Sequence, residues 1–121
     1  ALVSTQRDID LANLQELSVF KNHINKLPQE FYKLQSLKKF MAAHNDLRSI
    51  PESISKCKNL TDLSINDNKI ETLPPSLGNC STLRNLLIQN NKIYQIPITL
   101  QNLRLDTIGF EWFLYFDPPQ T

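Results

Sequence analysis

The chain has 121 residues, the length of a single domain, and a formal net charge of +1 at pH 7. A charge this small provides neither the basic patch of a nucleic-acid-binding protein nor a polybasic site for membranes. With only two glycines and no apolar run longer than residues 112–116, the sequence contains neither a glycine-rich phosphate-binding loop nor the roughly 20 apolar residues that span a membrane.

The first 13 residues are predicted to form a partial repeat or an N-terminal cap. Only Leu11 fits the spacing of the leucines that follow it. Ser4 or Thr5, followed by Ile9 and Ala12, is typical of a helical turn with a capping residue at its start.

From residue 14 to residue 104 the sequence repeats itself every 23 residues. Each unit opens on a leucine, continues with apolar residues three and five positions later, and has an asparagine at the eighth position after the leucine. A Leu-Pro or Ile-Pro pair begins five positions after that asparagine. Such a period predicts stacked units that share one core. The opening leucines are Leu14, Leu37, Leu60 and Leu83, and the asparagines are Asn22, Asn45, Asn68 and Asn91.

Each unit predicts the same local structure. The alternation of apolar and polar residues favours short, half-buried strands that start near residues 16, 39, 62, 85 and 107. The asparagine can donate to and accept from neighbouring backbone groups, so a ladder of asparagines is expected along the stack. The proline is expected at the first position of a short helix, where its missing N–H is no loss.

These residues, from 14 to about 110, resemble the leucine-rich-repeat family. Their length and the Leu-Pro or Ile-Pro pair are similar to the subtype found in Scribble-like and Ras-signalling scaffold proteins. The resemblance implies an α/β repeat solenoid, a right-handed curved horseshoe with a parallel concave β-sheet and short convex helices or turns. We therefore expect one domain over residues 1–121, with a partial repeat or cap at 1–13, four repeats at 14–104 and an atypical repeat at 105–121.

The C-terminal segment departs from the repeat. Its strand starts after 22 residues, and Phe113 stands where an asparagine is expected. Terminal units of a solenoid need an atypical cap to remain soluble, so an aromatic cap is predicted here. An interface for another chain or domain is the alternative. The cap residues are Phe110, Trp112, Phe113, Tyr115 and Phe116.

The sequence predicts no catalytic site. No GxSxG elbow or comparable nucleophile motif joins its serines, histidines and aspartates. His23 and His44 are predicted on the concave side and Cys57 and Cys80 near the outer helices, so a Cys/His zinc site cannot assemble. The two thiols are expected to be free and buried. We expect no enzyme activity, no metal and no cofactor.

The concave sheet is the ligand surface that the resemblance implies. Its first column of outward residues alternates in charge, which is typical of a self-neutralising ladder, although a charged docking site is the alternative. Phe20, Met41 and Ala43 are predicted to form an exposed apolar spot, either a partner contact or a surface that a preceding repeat once covered. The predicted partner-binding residues are Glu16, Ser18, Phe20, Lys39, Met41, Ala43, His44, Asp62, Asn66, Asp67, Asn85, Leu87, Gln89 and Asn90.

The resulting hypothesis is a non-catalytic protein–protein interaction module within a larger, cytoplasmic signalling or scaffold protein that binds neither nucleic acid nor membranes. A small GTPase or a signalling enzyme is the partner that the resemblance implies. One alternative is the regulatory segment of a kinase, phosphatase or cyclase whose catalytic domain lies outside this chain. Another is an extracellular recognition domain, although the cysteine-rich flanking caps typical of secreted members do not occur in this sequence.

Overall fold

The structure is a computed structural model that describes residues 12–109. Five short strands form one parallel sheet, and each strand pairs with the next one along the chain. They start at the predicted positions, and the parallel sheet of the predicted solenoid is thus confirmed. The strands are β1 (Glu16–Ser18), β2 (Lys39–Met41), β3 (Asp62–Ser64), β4 (Asn85–Leu87) and β5 (Thr107–Gly109).

The strand register places equivalent residues of successive repeats side by side. The central residue of each strand points to the core, because neighbouring residues of a strand face opposite sides of the sheet. These residues are fully buried in β2, β3 and β4. The aligned pairs are Leu17 with Phe40, Phe40 with Leu63, Leu63 with Leu86, and Leu86 with Ile108.

Between successive strands the chain forms a loop and a five-residue 3-10 helix, which confirms the short outer helices. Helices of this kind are used in short pieces because their hydrogen-bond geometry is poorer than that of an α-helix. The four helices are Gln29–Lys33, Glu52–Lys56, Pro75–Asn79 and Ile98–Asn102.

The repeat proline precedes the helix instead of starting it, which corrects the prediction. Pro28 is the N-cap residue and has an extended conformation, with φ −71° and ψ 154°. Its carbonyl accepts the first helical hydrogen bond, from the N–H of Phe31 at 3.1 Å. The ring fixes φ at a value that the extended backbone also accepts, so proline fits this position without strain. Pro51, Pro74 and Pro97 are N-caps of the same kind.

The core lies between the sheet and the row of 3-10 helices. Phe31, Ile54 and Leu77 point inward from the first three helices and are fully buried. Phe31 packs edge-on against Phe40 of β2, with ring centroids 4.9 Å apart. A residue of one repeat thus contacts the strand of the next, and the repeats share one continuous core.

Gly78 allows the last two 3-10 helices to lie close together. It is buried, and a Cβ atom at this position would overlap the backbone carbonyl of Thr99 and lie 2.6 Å from the Thr99 Cβ. We expect Gly78→Ala to lower the free energy of unfolding by about 1–3 kcal/mol, because the helices must move apart. Ser55→Ala, at the same position of the preceding repeat, is the matched control. Denaturant titration should show a clear loss for Gly78→Ala alone; equal losses would contradict the close packing.

Among residues 12–109, no helix is long and apolar enough to cross a membrane. Most of the predicted N-terminal cap falls on residues 1–11, which lie outside the described part of the chain. The predicted aromatic cap at Phe110, Trp112, Phe113, Tyr115 and Phe116 lies outside it as well.

Candidate functional site: the concave face

Repeat asparagines bind the end of one strand to the neighbouring repeat. Asn45 follows β2, and its Oδ1 accepts hydrogen bonds from the backbone N–H groups of Asn22 (3.0 Å) and Ile24 (3.1 Å). Its Nδ2 donates to the carbonyls of Val19 (2.9 Å) and Ala42 (3.1 Å). One buried side chain therefore satisfies backbone groups of two repeats.

Asn68 and Asn91 make contacts of the same kind one and two repeats further on. The Oδ1 of Asn68 accepts from the N–H of Leu47 at 2.9 Å, and the Oδ1 of Asn91 accepts from the N–H of Ile70 at 3.0 Å. Their side-chain amides donate to carbonyls just beyond the strand ends, among them that of Ile65, which both contact at 3.0 Å. These bonds fix the turns that border the concave face.

Asn22 differs from the other three asparagines, and its predicted place in the ladder needs correction. Its side chain is exposed and donates to the carbonyl of Phe20, two residues earlier, at 3.1 Å. The reason is its position, since β1 is the first strand of the described sheet and no described repeat lies before it. Asn22 therefore takes part in the ladder through its backbone N–H, which donates to Asn45.

The first outward column of the sheet carries Glu16, Lys39, Asp62 and Asn85 in register. The Oδ1 of Asp62 accepts a hydrogen bond from the Nδ2 of Asn85 at 3.1 Å. Within residues 12–109, no ion pair joins Lys39 to either acidic neighbour. In this outward column, which is predicted to be self-neutralising, the charges are aligned and one amide–carboxylate hydrogen bond forms, but Lys39 makes no ion pair with a described residue.

Two large apolar side chains are exposed near the N-terminal end of the concave face. Phe20 is 48% exposed and Met41 is 38% exposed. The imidazole of His44 packs edge-on against the Phe20 ring, with centroids 5.1 Å apart, and the Nζ of Lys21 lies 5.4 Å from the centroid of the same ring. We refer to Phe20, Lys21, Met41 and His44 as the Phe20 patch.

Ala43 is not part of this patch, contrary to the prediction of an exposed spot. Ala43 is only 7% exposed to solvent. Its carbonyl accepts the N–H of Lys21 (3.1 Å), and the neighbouring N–H of His44 donates to Asn66 (3.1 Å), so the backbone here is held between two repeats. A methyl group at such a position is too short to reach past its larger neighbours.

The four residues at the rim of the sheet share an unusual backbone conformation. Lys21, His44, Asp67 and Asn90 have φ of 56°, 59°, 58° and 57°, which is the left-handed region. Asn, Asp and His adopt this region more readily than most residues, whereas Lys does so less often. The tight turn directs the chain from the concave strand to the repeat asparagine that follows it. The predicted structure does not include this conformation, although His, Asp and Asn at a 23-residue spacing are a signal for it.

Amides and a carboxylate occupy the centre of the concave face. Asp67 accepts hydrogen bonds from the side-chain amides of Asn66 (2.7 Å) and Asn90 (3.0 Å), and the Nε2 of His44 lies 3.5 Å from its Oδ2. The Oδ1 of Asn66 and the Oε1 of Gln89 are buried and have no hydrogen-bond partner. The predicted polar residues are therefore brought together, with Leu87 half-buried beside them.

The exposed fraction of the concave residues falls from the first strand inward. Glu16 and Ser18 in β1 are exposed, whereas Lys39, Asp62 and Asn85 are half-buried. The edge strand of the described sheet has one neighbour, and the inner strands have two, which explains the difference.

A second row of side chains connects the repeats on the opposite side of the core. The hydroxyl of Ser76 donates to the carbonyl of Glu52 at 2.9 Å, and the hydroxyl of Thr99 donates to the carbonyl of Pro75 at 2.7 Å. Ser76 and Thr99 occupy equivalent positions, and this row was not predicted. These hydrogen bonds join successive repeats on the convex side.

Cys57 and Cys80 are free and buried, as expected from their leucine-like positions. Burial, together with a smaller effect of the nearby Cys80, raises the pKa of the Cys57 thiol to about 12. Burial also raises the pKa of Cys80, to about 11, against an opposing effect of Lys58. Both thiols point to backbone carbonyls, Cys57 to Phe31 (3.8 Å) and Cys80 to Ile54 (3.7 Å). Neither thiol is a reactive nucleophile near neutral pH.

Stability should fall at high pH because of these thiols. The folded state holds each proton more tightly than the unfolded chain, whose thiols have a pKa of 9.0. The stabilisation is therefore complete below pH 9.0 and is lost as the pH rises toward 11 and 12. Denaturant titrations from pH 7 to 11 should show a steeper decline for the natural chain than for the double variant Cys57→Ala, Cys80→Ala. Parallel declines would contradict the buried, protonated thiols.

The described residues contain no cluster of three or more His, Cys, Asp or Glu side chains that could hold a metal ion. The outward side chains of the concave face are apolar, amide and charged.

Comparison with known proteins places this geometry among leucine-rich repeats. Residues 35–79 match the family model for Leucine Rich repeats in two copies. No curated protein matches the chain. An LRR protein of Leptospira interrogans is 29% identical with a TM-score of 0.81, over 87% of this chain and 27% of that one.

Two further solved structures are similar. The plant peptide hormone receptor RGFR1, solved in complex with RGF2, is 33% identical with a TM-score of 0.73, over 83% of this chain and 17% of the receptor. Internalin C2 of Listeria monocytogenes has the same fold, with 24% identity and a TM-score of 0.72, over 83% of this chain and 43% of internalin C2. The chain thus spans less than half the length of each of these proteins. Its described residues form a leucine-rich-repeat solenoid.

Proposed function

We propose that this leucine-rich-repeat solenoid is a non-catalytic protein–protein interaction module that docks a partner on its concave face. The observation that carries the proposal is the Phe20 patch. A large aromatic ring and a thioether are exposed there on a sheet whose other outward side chains are mostly polar. Exposed apolar groups of this kind mark contact surfaces, and aromatic side chains are frequent anchors of protein interfaces.

Contacts within the chain fix the conformation of the concave face in the absence of a partner. Asn45 and Asn68 hold the turns that follow β1 and β2 to the next repeat, and the T-shaped contact with His44 orients the Phe20 ring. A rigid surface loses little conformational entropy on binding. A partner with an apolar side chain for the Phe20 patch and N–H donors for the carboxylates and amides further along the sheet would complement this face.

The wider role in our proposal is that of a signalling or scaffold protein in the cytoplasm, with a small GTPase or a signalling enzyme as partner. The 23-residue period with its Leu-Pro or Ile-Pro pair supports the Scribble-like subtype, and the two free thiols fit a reducing compartment. In the alternative role, as the regulatory segment of a kinase, phosphatase or cyclase, the chain would bind its partner through the same concave face.

A second candidate function is the recognition domain of a receptor. The 33% identity with a plant peptide hormone receptor supports it. A peptide ligand would lie across the concave strands and would use the same exposed side chains, so the two candidates share a site and differ in the partner.

The test compares variants with a charge in the Phe20 patch. Phe20→Glu and Met41→Glu should weaken partner binding about tenfold or more, since the loss of an interface anchor costs over about 1.4 kcal/mol. Both side chains are partly exposed, so the variants should keep the thermal midpoint of the natural chain. Tyr94→Glu is the matched control, because Tyr94 is exposed and lies outside the strands.

Affinity purification followed by quantitative mass spectrometry gives the readout. The expected result is a set of proteins that the natural chain and Tyr94→Glu retain and that both patch variants lose. A bound set that is the same for all four proteins, or that Tyr94→Glu alone loses, would overturn the concave docking face.

A further inference from the structure

The carboxylate of Asp67 lies at the rim of the concave face and is held in a fixed position by two amides. Its Oδ2 accepts a hydrogen bond from the Nδ2 of Asn66 at 2.7 Å, and its Oδ1 accepts one from the Nδ2 of Asn90 at 3.0 Å. The Asp67 side chain is 27% exposed, so a ligand can reach it. An ionised carboxylate has about four acceptor sites. Each oxygen of Asp67 can therefore accept one further hydrogen bond.

Acceptors are in excess around this carboxylate. The Oδ1 of Asn66 and the Oε1 of Gln89, at equivalent positions of successive repeats, are buried and have no hydrogen-bond partner. A buried acceptor without a donor is unfavourable. Because these oxygens are shielded from water, a nearby positive charge stabilises them more than it would stabilise exposed oxygens. A ligand that brings N–H donors and a positive charge is favoured here.

No cationic side chain of the sheet neutralises this region. Residues 62–67 and 85–90 form β3, β4 and their rims, and they contain two carboxylates, Asp62 and Asp67, but no lysine or arginine. In the described part of the chain, neither carboxylate pairs with a lysine or an arginine. Lys69, two residues after Asp67, instead contacts a carboxylate of the preceding repeat at 3.4 Å. The charge of a complementary ligand is therefore positive.

Asp67 lies at a defined distance from the Phe20 patch. The His44 ring contacts Phe20 on one side, and its Nε2 lies 3.5 Å from the Oδ2 of Asp67 on the other. Phe20 and Asp67 are two repeats apart, and two strand spacings of about 4.8 Å correspond to about 10 Å. In a polyproline II segment, residues three positions apart lie on the same side at a distance of about 9 Å. One such segment can reach both sites.

We propose that Asp67 binds the guanidinium group of an arginine in the partner, and that an apolar residue three positions from this arginine contacts the Phe20 patch. The proposal rests on the concave face as the docking surface and names the chemistry of the partner, a polyproline II segment. Arginine fits better than lysine, because its planar fork donates to both oxygens of one carboxylate.

Two short peptides of opposite chain direction test the proposal on the natural chain, acetyl-Leu-Pro-Pro-Arg-amide and acetyl-Arg-Pro-Pro-Leu-amide. Their citrulline counterparts keep the shape of the side chain and lack its positive charge. In NMR titrations, at least one arginine peptide should saturably shift the side-chain amide signals of Asn66 and Asn90. It should bind about fivefold more tightly than its citrulline counterpart, as expected for a charge-assisted contact to a partly buried carboxylate.

Asp67→Asn removes the charge and keeps the turn, because Asn90 has the same left-handed conformation, with φ 57°, at the equivalent position. This variant should bind the arginine and citrulline peptides equally. Asp62→Asn is the matched control, since it removes the other concave carboxylate at a position where the next repeat has Asn85. It should keep the preference for arginine. Phe20→Ala should weaken both members of the pair by the same factor, because it removes the apolar contact alone.

The arginine site would be overturned by equal binding of arginine and citrulline peptides to the natural chain, or by the absence of saturable shifts. A preference that Asp67→Asn retains, or that Asp62→Asn alone abolishes, would also overturn it. An unchanged affinity of Phe20→Ala would overturn the spacing of three residues. The docking function would survive each of these results, since its own test is the loss of captured proteins by Phe20→Glu and Met41→Glu.

Discussion

Asn45→Ala should lower the free energy of unfolding by about 3 kcal/mol or more, since each buried donor or acceptor that loses its partner costs about 1–3 kcal/mol. The substitution leaves the backbone N–H groups of Asn22 and Ile24 without their acceptor. It also leaves the carbonyl of Val19 without the side-chain donor that lies 2.9 Å away. Denaturant titration followed by circular dichroism measures the loss.

Asn22→Ala is the matched control because it makes the same chemical change at the equivalent repeat position. The side chain of Asn22 is exposed and makes a local bond to Phe20. We expect a change within about 0.5 kcal/mol, as for most surface substitutions. The rim variant His44→Asn should also cost little, since asparagine accepts the left-handed conformation of that position. Equal losses for Asn22→Ala and Asn45→Ala would contradict a ladder of buried hydrogen bonds.

The sheet could be predicted because stacking aligns equivalent residues. A 23-residue period brings Phe40 next to Leu63 and Lys39 next to Asp62, so a single repeated pattern determines both the buried and the outward column. The asparagine contacts also followed from the chemistry of one side chain, because an amide can donate and accept at the same turn.

The exposure of individual concave residues could not be predicted in the same way. Ala43 is buried and Met41 is exposed, although both are predicted on the outward face, and the alternation of residues along a strand does not encode this difference. The position of Asn22 at the start of the described sheet likewise removes the neighbour that its side chain would need. The left-handed rim is harder to predict from residue type, because Lys21 interrupts a row that is otherwise His, Asp and Asn.

Phe40→Ala should lower the free energy of unfolding by about 3–5 kcal/mol, because alanine leaves a cavity where a fully buried ring was. The ring contacts Phe31 at a centroid distance of 4.9 Å and thereby joins β2 to the first 3-10 helix. Phe40→Leu is the matched control, since leucine occupies the same position in the next two repeats, as Leu63 and Leu86. It should cost clearly less than Phe40→Ala, because leucine fills most of the volume of the ring and leaves a smaller cavity. Denaturant titration distinguishes the two variants. A similar, small loss for both would show that the layers collapse onto the cavity, and the contact between Phe31 and Phe40 would then not be what holds the first two repeats together.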